Sequence, residues 1–348
     1  MKSAFLTTLL AIMVLQVGCE REFTNTYDEE AKALVLLYTS ATYARDSYHQ
    51  FVNDGAELVS SGEGTVVKHD LSDGSEIWQY NSPVYGDISS VSMDENYNSI
   101  AFSLESIINV INAQTGKIKW DIHLDGILNF VGYNNSDSII VAIYGNKLVY
   151  INTNLRQIWD EVYLPGLDAT SSAEFFMHPA KTSIAYYDEG AAKIVLYDLN
   201  NKSEIWSTKV LTSEAVFSVV FSPDGEYAII EYFDGENTGF VTLYCNNGAI
   251  IWQLEKVNLG HPPSISFHPD GLEVAICSSD IIRIFDTQSG TEIWGNPDNS
   301  VVGLTSITYN SDGSILGGYG VLSAGLDTHL YLWDTKTRDM IHDYTPEY

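Results

Sequence analysis

From His49 onward the chain repeats itself with a period that suits a supersecondary unit rather than a helix or coiled coil. One column of the repeat is Trp78, Trp120, Trp159, Trp206, Trp252 and Trp294, spaced 42, 39, 47, 46 and 42 residues apart; Ile341 takes a seventh place 47 residues further on. A second column lies seven or eight residues earlier, at Asp70, Asn112, Asn152, Asp198, Cys245, Asp286 and Asp334, each ending an apolar run such as KIVLYD or IIRIFD. Between the columns stand turn residues, often with glycine, as in DGSEIW and QSGTEIW. An Asx side chain that caps a turn, with glycine supplying a positive φ, marks a hairpin between the two apolar runs. A third column lies upstream, as FVNDGAEL from Phe51, FSPDGEYAII from Phe221, FHPDGLEVAI from Phe267 and YNSDGSIL from Tyr309, with weaker copies near Ser92, Tyr133 and Phe176. Each copy reads as strand, tight turn, strand.

The unit is therefore four strands, a to d, in about 40 to 47 residues, and it occurs seven times between residues 47 and 345. Four antiparallel strands cannot bury both faces alone. Arranged around an axis they cover each other face to face, whereas a linear array would leave large apolar faces bare. The expectation is an all-β, seven-bladed β-propeller of four-stranded antiparallel blades. The tryptophan column then packs between blades, and Trp333, in strand c of the last unit, is buried as well. Both end blades look complete from contiguous sequence, so the ring closes by packing, or with ALVLLYT (residues 33–39) as an added edge strand.

Two resemblances follow from these residues. The strand d Trp with its preceding turn resembles the tryptophan-docking repeat of quinoprotein-like propellers. VLSAGLDTHLYLWD, ending at Asp334, resembles a WD repeat, as do Gly260-His261 and Pro269-Asp270-Gly271. Both imply propeller architecture and leave function open, because propellers host unrelated activities. Quinone-dependent dehydrogenases of this type use an adjacent cysteine pair, which this chain lacks. Its cysteines are Cys19, Cys245 and Cys277. The last two fall in apolar strand patterns and read as buried thiols, with a bridge between them as the alternative.

The chain carries 46 Asp and Glu against 17 Lys and Arg, a formal charge of −29. Phosphate binding needs clustered Lys and Arg, so a nucleic-acid partner is excluded, and basic proteins or divalent cations are the complementary ones. Ahead of the repeat, Ala4 to Val17 is apolar apart from Thr7, Thr8 and Gln16, too short to span a bilayer but long enough for a signal-peptide core. It ends Gly18-Cys19, which resembles the lipobox of bacterial lipoproteins and implies acylation of Cys19. A plain secretory signal or an uncleaved anchor are the alternatives. Residues 1–19 thus form a leader, and residues 20–46 an acidic tether with a short apolar segment. Membrane contact is expected only through this anchor.

No nucleophile elbow, zinc signature or phosphate loop is present. His178 and His268 precede proline in the a–b turn and read as turn residues rather than ligands. One constellation stands out in the d–a links: Asp46, Asp87, Asp125, Asp168 and Glu214 hold comparable places in five successive units, followed by His261 and Gly303. They are weak candidates for a calcium site, and Asp87, Asp125, Asp168, Glu214 and His261 for a binding face. The leading functional reading is a non-enzymatic scaffold at the cell envelope with a protein partner and no cofactor. The alternative is an extracytoplasmic hydrolase or lactonase with a calcium-assisted carboxylate site. Cys19→Ala is expected to leave the chain unprocessed or free of membranes. Mass spectrometry of the mature N-terminus checks this, and an unacylated terminus elsewhere would rule out lipidation.

Overall fold

The computed structural model describes residues 49–344, apart from 53–56, 63, 71–74, 84–85, 87, 137, 170–172, 211–214, 234–237, 258–263, 279–280, 297–303, 311 and 322–327. The leader and tether lie outside these residues. Within them, twenty-eight strands form seven sheets, each of four antiparallel strands in chain order, and no helix occurs among the described residues. The blades span residues 49–81, 88–123, 130–163, 175–209, 215–257, 264–295 and 304–344. The first and seventh are each contiguous in sequence, and among the described residues no strand from the far terminus enters either.

The meander decides which loops share a face. Strand direction reverses at each turn, so a–b and c–d turns lie on one side of the disc, the lower face, while b–c turns and d–a links lie on the upper. Apolar side chains on both sides of each sheet form cores between neighbouring blades, such as Val59, Val66 and Trp78 against Met93, Ile100 and Phe102. Inner strands are also clasped by serines. Ser90 Oγ donates to the Val131 carbonyl at 2.8 Å, and Ser92 Oγ accepts from the Tyr133 amide at 3.0 Å. Ser264 and Ser266 repeat this toward Ile307 and Tyr309, satisfying backbone groups at the inner edge.

The c–d turn follows one pattern. Asn112 Oδ1 accepts from the amides of Gln114 and Thr115 at 3.0 and 2.9 Å, and Gly116 closes the turn at φ 64°. Asn152, Asp198, Asp286 and Asp334 cap their turns in the same way. The fifth blade departs from the expected column. Its turn opens at Tyr244, whose carbonyl accepts from Gly248 N at 2.8 Å, so Cys245 sits one place inside it. Tyrosine cannot cap, and Asn247 Oδ1 accepts from Ala249 N at 2.9 Å instead.

The tryptophans dock onto these turns. Trp78 Nε1 donates to Ala113 O of the next blade at 3.1 Å, Trp206 to Cys245 O at 2.7 Å, and Trp252 to Thr287 O at 2.8 Å. Each ring lies on the turn glycine: a Cβ at Gly116, Gly248 or Gly290 would meet it at 2.7, 2.6 or 2.5 Å. Glycine is required there both by its positive φ and by the indole's approach. Trp333 is buried, as expected.

Trp159 breaks the expectation of a buried column; it is 62 % exposed. Strands c and d meet at a bulge that leaves one residue of strand d unpaired. In the second blade Val110 faces Trp120, whereas in the third Tyr150 faces Asp160 and Trp159 falls in the bulge. The third-blade spacing from the turn is one residue shorter, and a one-residue slip sends a strand side chain to the opposite face. In the seventh blade, by the same slip, His342 and not Ile341 stands opposite Leu332. At the vacated place Asp160 pairs with Lys202, which replaces the turn glycine at φ 54°. Tyr150 Oη supplies the missing donor, to Leu199 O at 2.8 Å.

Trp206→Ala is expected to cost about 3–5 kcal/mol, as large core truncations do. Trp159→Ala is expected to stay within about 0.5 kcal/mol. Paired urea denaturation curves separate the two, and equal losses would mean that Trp159 packs in the core rather than falling in the bulge.

Candidate functional site

The upper face carries two of the acids singled out from sequence. Asp125 and Asp168 lie in the links after the second and third blades, and both are exposed. Asp46, Asp87, Glu214, His261 and Gly303 lie outside the described residues. Among the described residues no three His, Cys, Asp or Glu side chains come together as a group that could hold a metal ion.

The two described links are pinned to the b–c turns beside them. Leu124 N and Leu128 N donate to Ser106 O and Glu105 O at 2.9 and 2.8 Å, and Asn129 N to Ile143 O at 2.8 Å. In the next link Leu164 N donates to Asn146 O at 2.8 Å, Asn146 Nδ2 to Leu167 O at 3.2 Å, and Tyr186 Oη to Pro165 O at 2.9 Å. Buried Leu124, Leu128 and Leu164 anchor the links from below. What they present is mixed: beside the acids, Ile127 is 70 % and Tyr163 66 % exposed. Lys147 sits 5.7 Å from the Tyr163 ring and 3.3 Å from the Glu161 carboxylate.

One acid that matters here was not among the sequence candidates. Glu231, in the strand Tyr227–Phe233, is only 2 % exposed. Its Oε2 accepts from Ser218 Oγ of the innermost strand at 3.1 Å, and Oε1 has no hydrogen-bond partner among the described residues. Burial pushes its carboxyl up to about 7, opposed by the Ser218 hydrogen bond and aided by the charge of Glu174. Glu174 directly precedes the innermost strand of the fourth blade, six residues beyond Asp168 on the same face. The signal was legible: one charge inside the apolar run YAIIEYF.

The other candidates take structural roles. Cys245 and Cys277 are free and buried in different blades, so the bridge is absent, and burial pushes both thiols up to about 12, far from a reactive thiolate. His178 and His268 sit in lower-face turns, as expected, and additionally link blades. His178 Nδ1 accepts from Ala180 N at 3.1 Å, which leaves Nε2 to donate to Gly225 O of the next blade at 3.0 Å. His268 Nε2 meets Gly313 O at 3.1 Å, and the two imidazoles stand edge-on to Phe221 and Tyr309.

No family model and no curated protein matches the chain. Solved structures do. The Swd1 (Cps50) β-propeller domain of Myceliophteria thermophila superposes with a TM-score of 0.62 at 13% identity, over 84% of this chain and 96% of that one. A hydrazine synthase of Kuenenia stuttgartiensis gives 0.60 at 12% over 85% and 94%, and BamB of Moraxella catarrhalis 0.58 at 14% over 86% and 87%. At such identity the likeness establishes the fold. A hydrazine synthase among them means that the fold alone does not separate binding from catalysis.

Glu231 makes stability depend on pH. Its carboxyl has an ordinary value of 4.5 and is raised to about 7 in the fold, so the native state keeps a proton that the unfolded chain has released. That contribution is complete below pH 4.5 and lost as pH rises through 7. Relative to Glu231→Gln, the native chain is expected to lose on the order of 3 kcal/mol between those limits. Urea denaturation of both chains at pH 5 and 8 checks this; an equal difference at the two values would mean that the carboxyl ionises normally.

Proposed function

We propose that the chain is a non-enzymatic interaction scaffold, exported to the cell envelope and held there through Cys19, which engages a protein partner with its upper face. One observation carries this reading: the links around the second to fourth blades are pinned to neighbouring turns and yet expose Ile127, Tyr163, Asp125 and Asp168 together. A rigid, mixed apolar and acidic surface binds without loop-ordering cost, and large exposed apolar side chains among polar ones mark interaction sites. The charge of −29 selects a basic partner segment. The shared fold with the Swd1 domain and BamB supports the reading, since a propeller disc holds many loops on one stiff frame.

A second reading, a hydrolase with calcium-assisted carboxylates, draws on the nearness of Glu231 and Glu174 on that face. Site-specific photo-crosslinking in intact cells separates the two. Crosslinkers at Ile127 and Tyr163 are expected to capture one common protein, while those at the outer-wall positions Ile77 and Ile293 do not. In isolated membranes the yield is expected to fall above about 0.15 M salt. Uniform capture at all four positions, or none, would overturn the scaffold reading. Saturable calcium heat abolished by Asp168→Asn would favour the second.

A further inference from the structure

Each junction between blades can be compared with its siblings in the ring. At three of them an indole rests on a turn glycine. At three others that glycine is replaced by a cation at positive φ: Arg156, Lys202 and Arg338. Two of the three cations are met by a carboxylate. Lys202 pairs with Asp160, and Arg338 Nη2 donates to both oxygens of Glu273 at 2.8 and 2.6 Å.

Arg156 has no carboxylate partner among the described residues. The place of Glu273 is held there by Ser99: His268 N donates to Glu273 O as Asp94 N donates to Ser99 O. A cleft of about 320 Å³ lies at this junction between the second and third blades, on the lower face. It is lined by Arg156, Lys119, Trp120, Ser99, Asn154 and Asp94, among others. Lys119 Nζ donates to Ser99 Oγ at 2.7 Å. Trp120 is only 9 % exposed, yet its indole N–H, unlike those of Trp78, Trp206 and Trp252, makes no hydrogen bond among the described residues. That N–H opens onto the cleft, where it is available to an acceptor from solution. The cleft therefore combines two cations, a free indole donor and an Asn amide with one acid at its rim, within a chain whose overall charge repels anions.

We infer that this cleft binds a small organic carboxylate, whose oxygens stand toward Arg156 as those of Glu273 stand toward Arg338. Trp120 Nε1 and Lys119 Nζ supply further donors to the anion. Asp94, whose Oδ1 already accepts from Asn98 N at 2.7 Å, offers Oδ2 to a ligand donor, which favours a carboxylate that also carries a hydroxyl or an ammonium group: a small hydroxy acid or amino acid. The volume lies at the lower end of ligand sites, roughly 300–1,000 Å³. The site is on the face opposite Asp125 and Asp168 and is independent of the partner surface.

The test follows the indole signals of the full mature chain in ¹H–¹⁵N spectra, with Trp120 assigned by Trp120→Phe. Titration with glycolate is expected to move the Trp120 indole proton downfield to saturation, and acetate, which has no donor, to bind less tightly. Arg156→Gln, an exposed position that leaves the core intact, is expected to weaken binding about tenfold or more, in line with loss of a charge-assisted hydrogen bond. Ser99→Glu rebuilds the pair seen at Arg338 and is expected to abolish the response. A Trp120 signal unmoved by glycolate and glycine at tens of millimolar would overturn the proposal. So would equal movement by glycolate and chloride, the mark of an adventitious ion only. Equal affinity for acetate and glycolate would overturn the donor requirement.

Discussion

The structure depends on how one blade is fastened to the next. A four-stranded sheet has two apolar faces, and the hydrophobic effect drives them against neighbours without fixing their angle or height. The docked indole does both. Its ring fits against a glycine where a single methyl group would collide, and its N–H ends on one carbonyl of the neighbouring turn. Burying an indole contributes apolar area, while the cost of leaving its donor unmet penalises other placements. Serines on the inner strands and histidines in the a–b turns perform the same fixing with smaller groups. Each of these contacts ends on a backbone atom, which explains how the repeat tolerates wide changes of side chain elsewhere.

Most of the architecture was legible in the chain because a ring repeats in space what it repeats in sequence. The turn Asx, the glycine and the Trp recur at fixed offsets, and the blade boundaries follow from them. The departures share one cause. A column read by residue type ignores the bulge that separates strands c and d, so it aligns Trp159 by identity with residues it does not match in register. Asp160 holds the equivalent place, and its acid side chain makes sense only beside Lys202. Cys245 falls into the column of turn-opening Asx residues for a similar reason, since Tyr244 opens the turn without being able to cap it.

The site was less legible. Asp125 and Asp168 stand on exposed links as their offsets implied, but the apolar company of Ile127 and Tyr163 shows only once the links are seen pinned from below. Glu231 carries the opposite lesson. A carboxyl within an apolar strand was visible in the sequence, whereas its isolation from water and its nearness to Glu174 come from the curvature of the ring. Arg156 was equally visible, but the carboxylate it lacks could be noticed only by setting it beside Arg338 and Glu273.

Five of the six described joints therefore carry one of two fastenings, and these respond oppositely to conditions. Indole on glycine is an apolar seam: salt leaves it intact or strengthens it, and it weakens on cooling. The turn contacts at Lys202 and Arg338 are ion pairs, screened by salt and favoured by heat as charge desolvation becomes less costly. Apolar seams join the first blade to the second and weld the fourth, fifth and sixth into a block. Ion pairs are added at the turns to the apolar cores that join the third blade to the fourth and the sixth to the seventh. Salt and temperature thus act unequally around the disc, according to the order in which glycine, arginine and lysine occupy a single turn position.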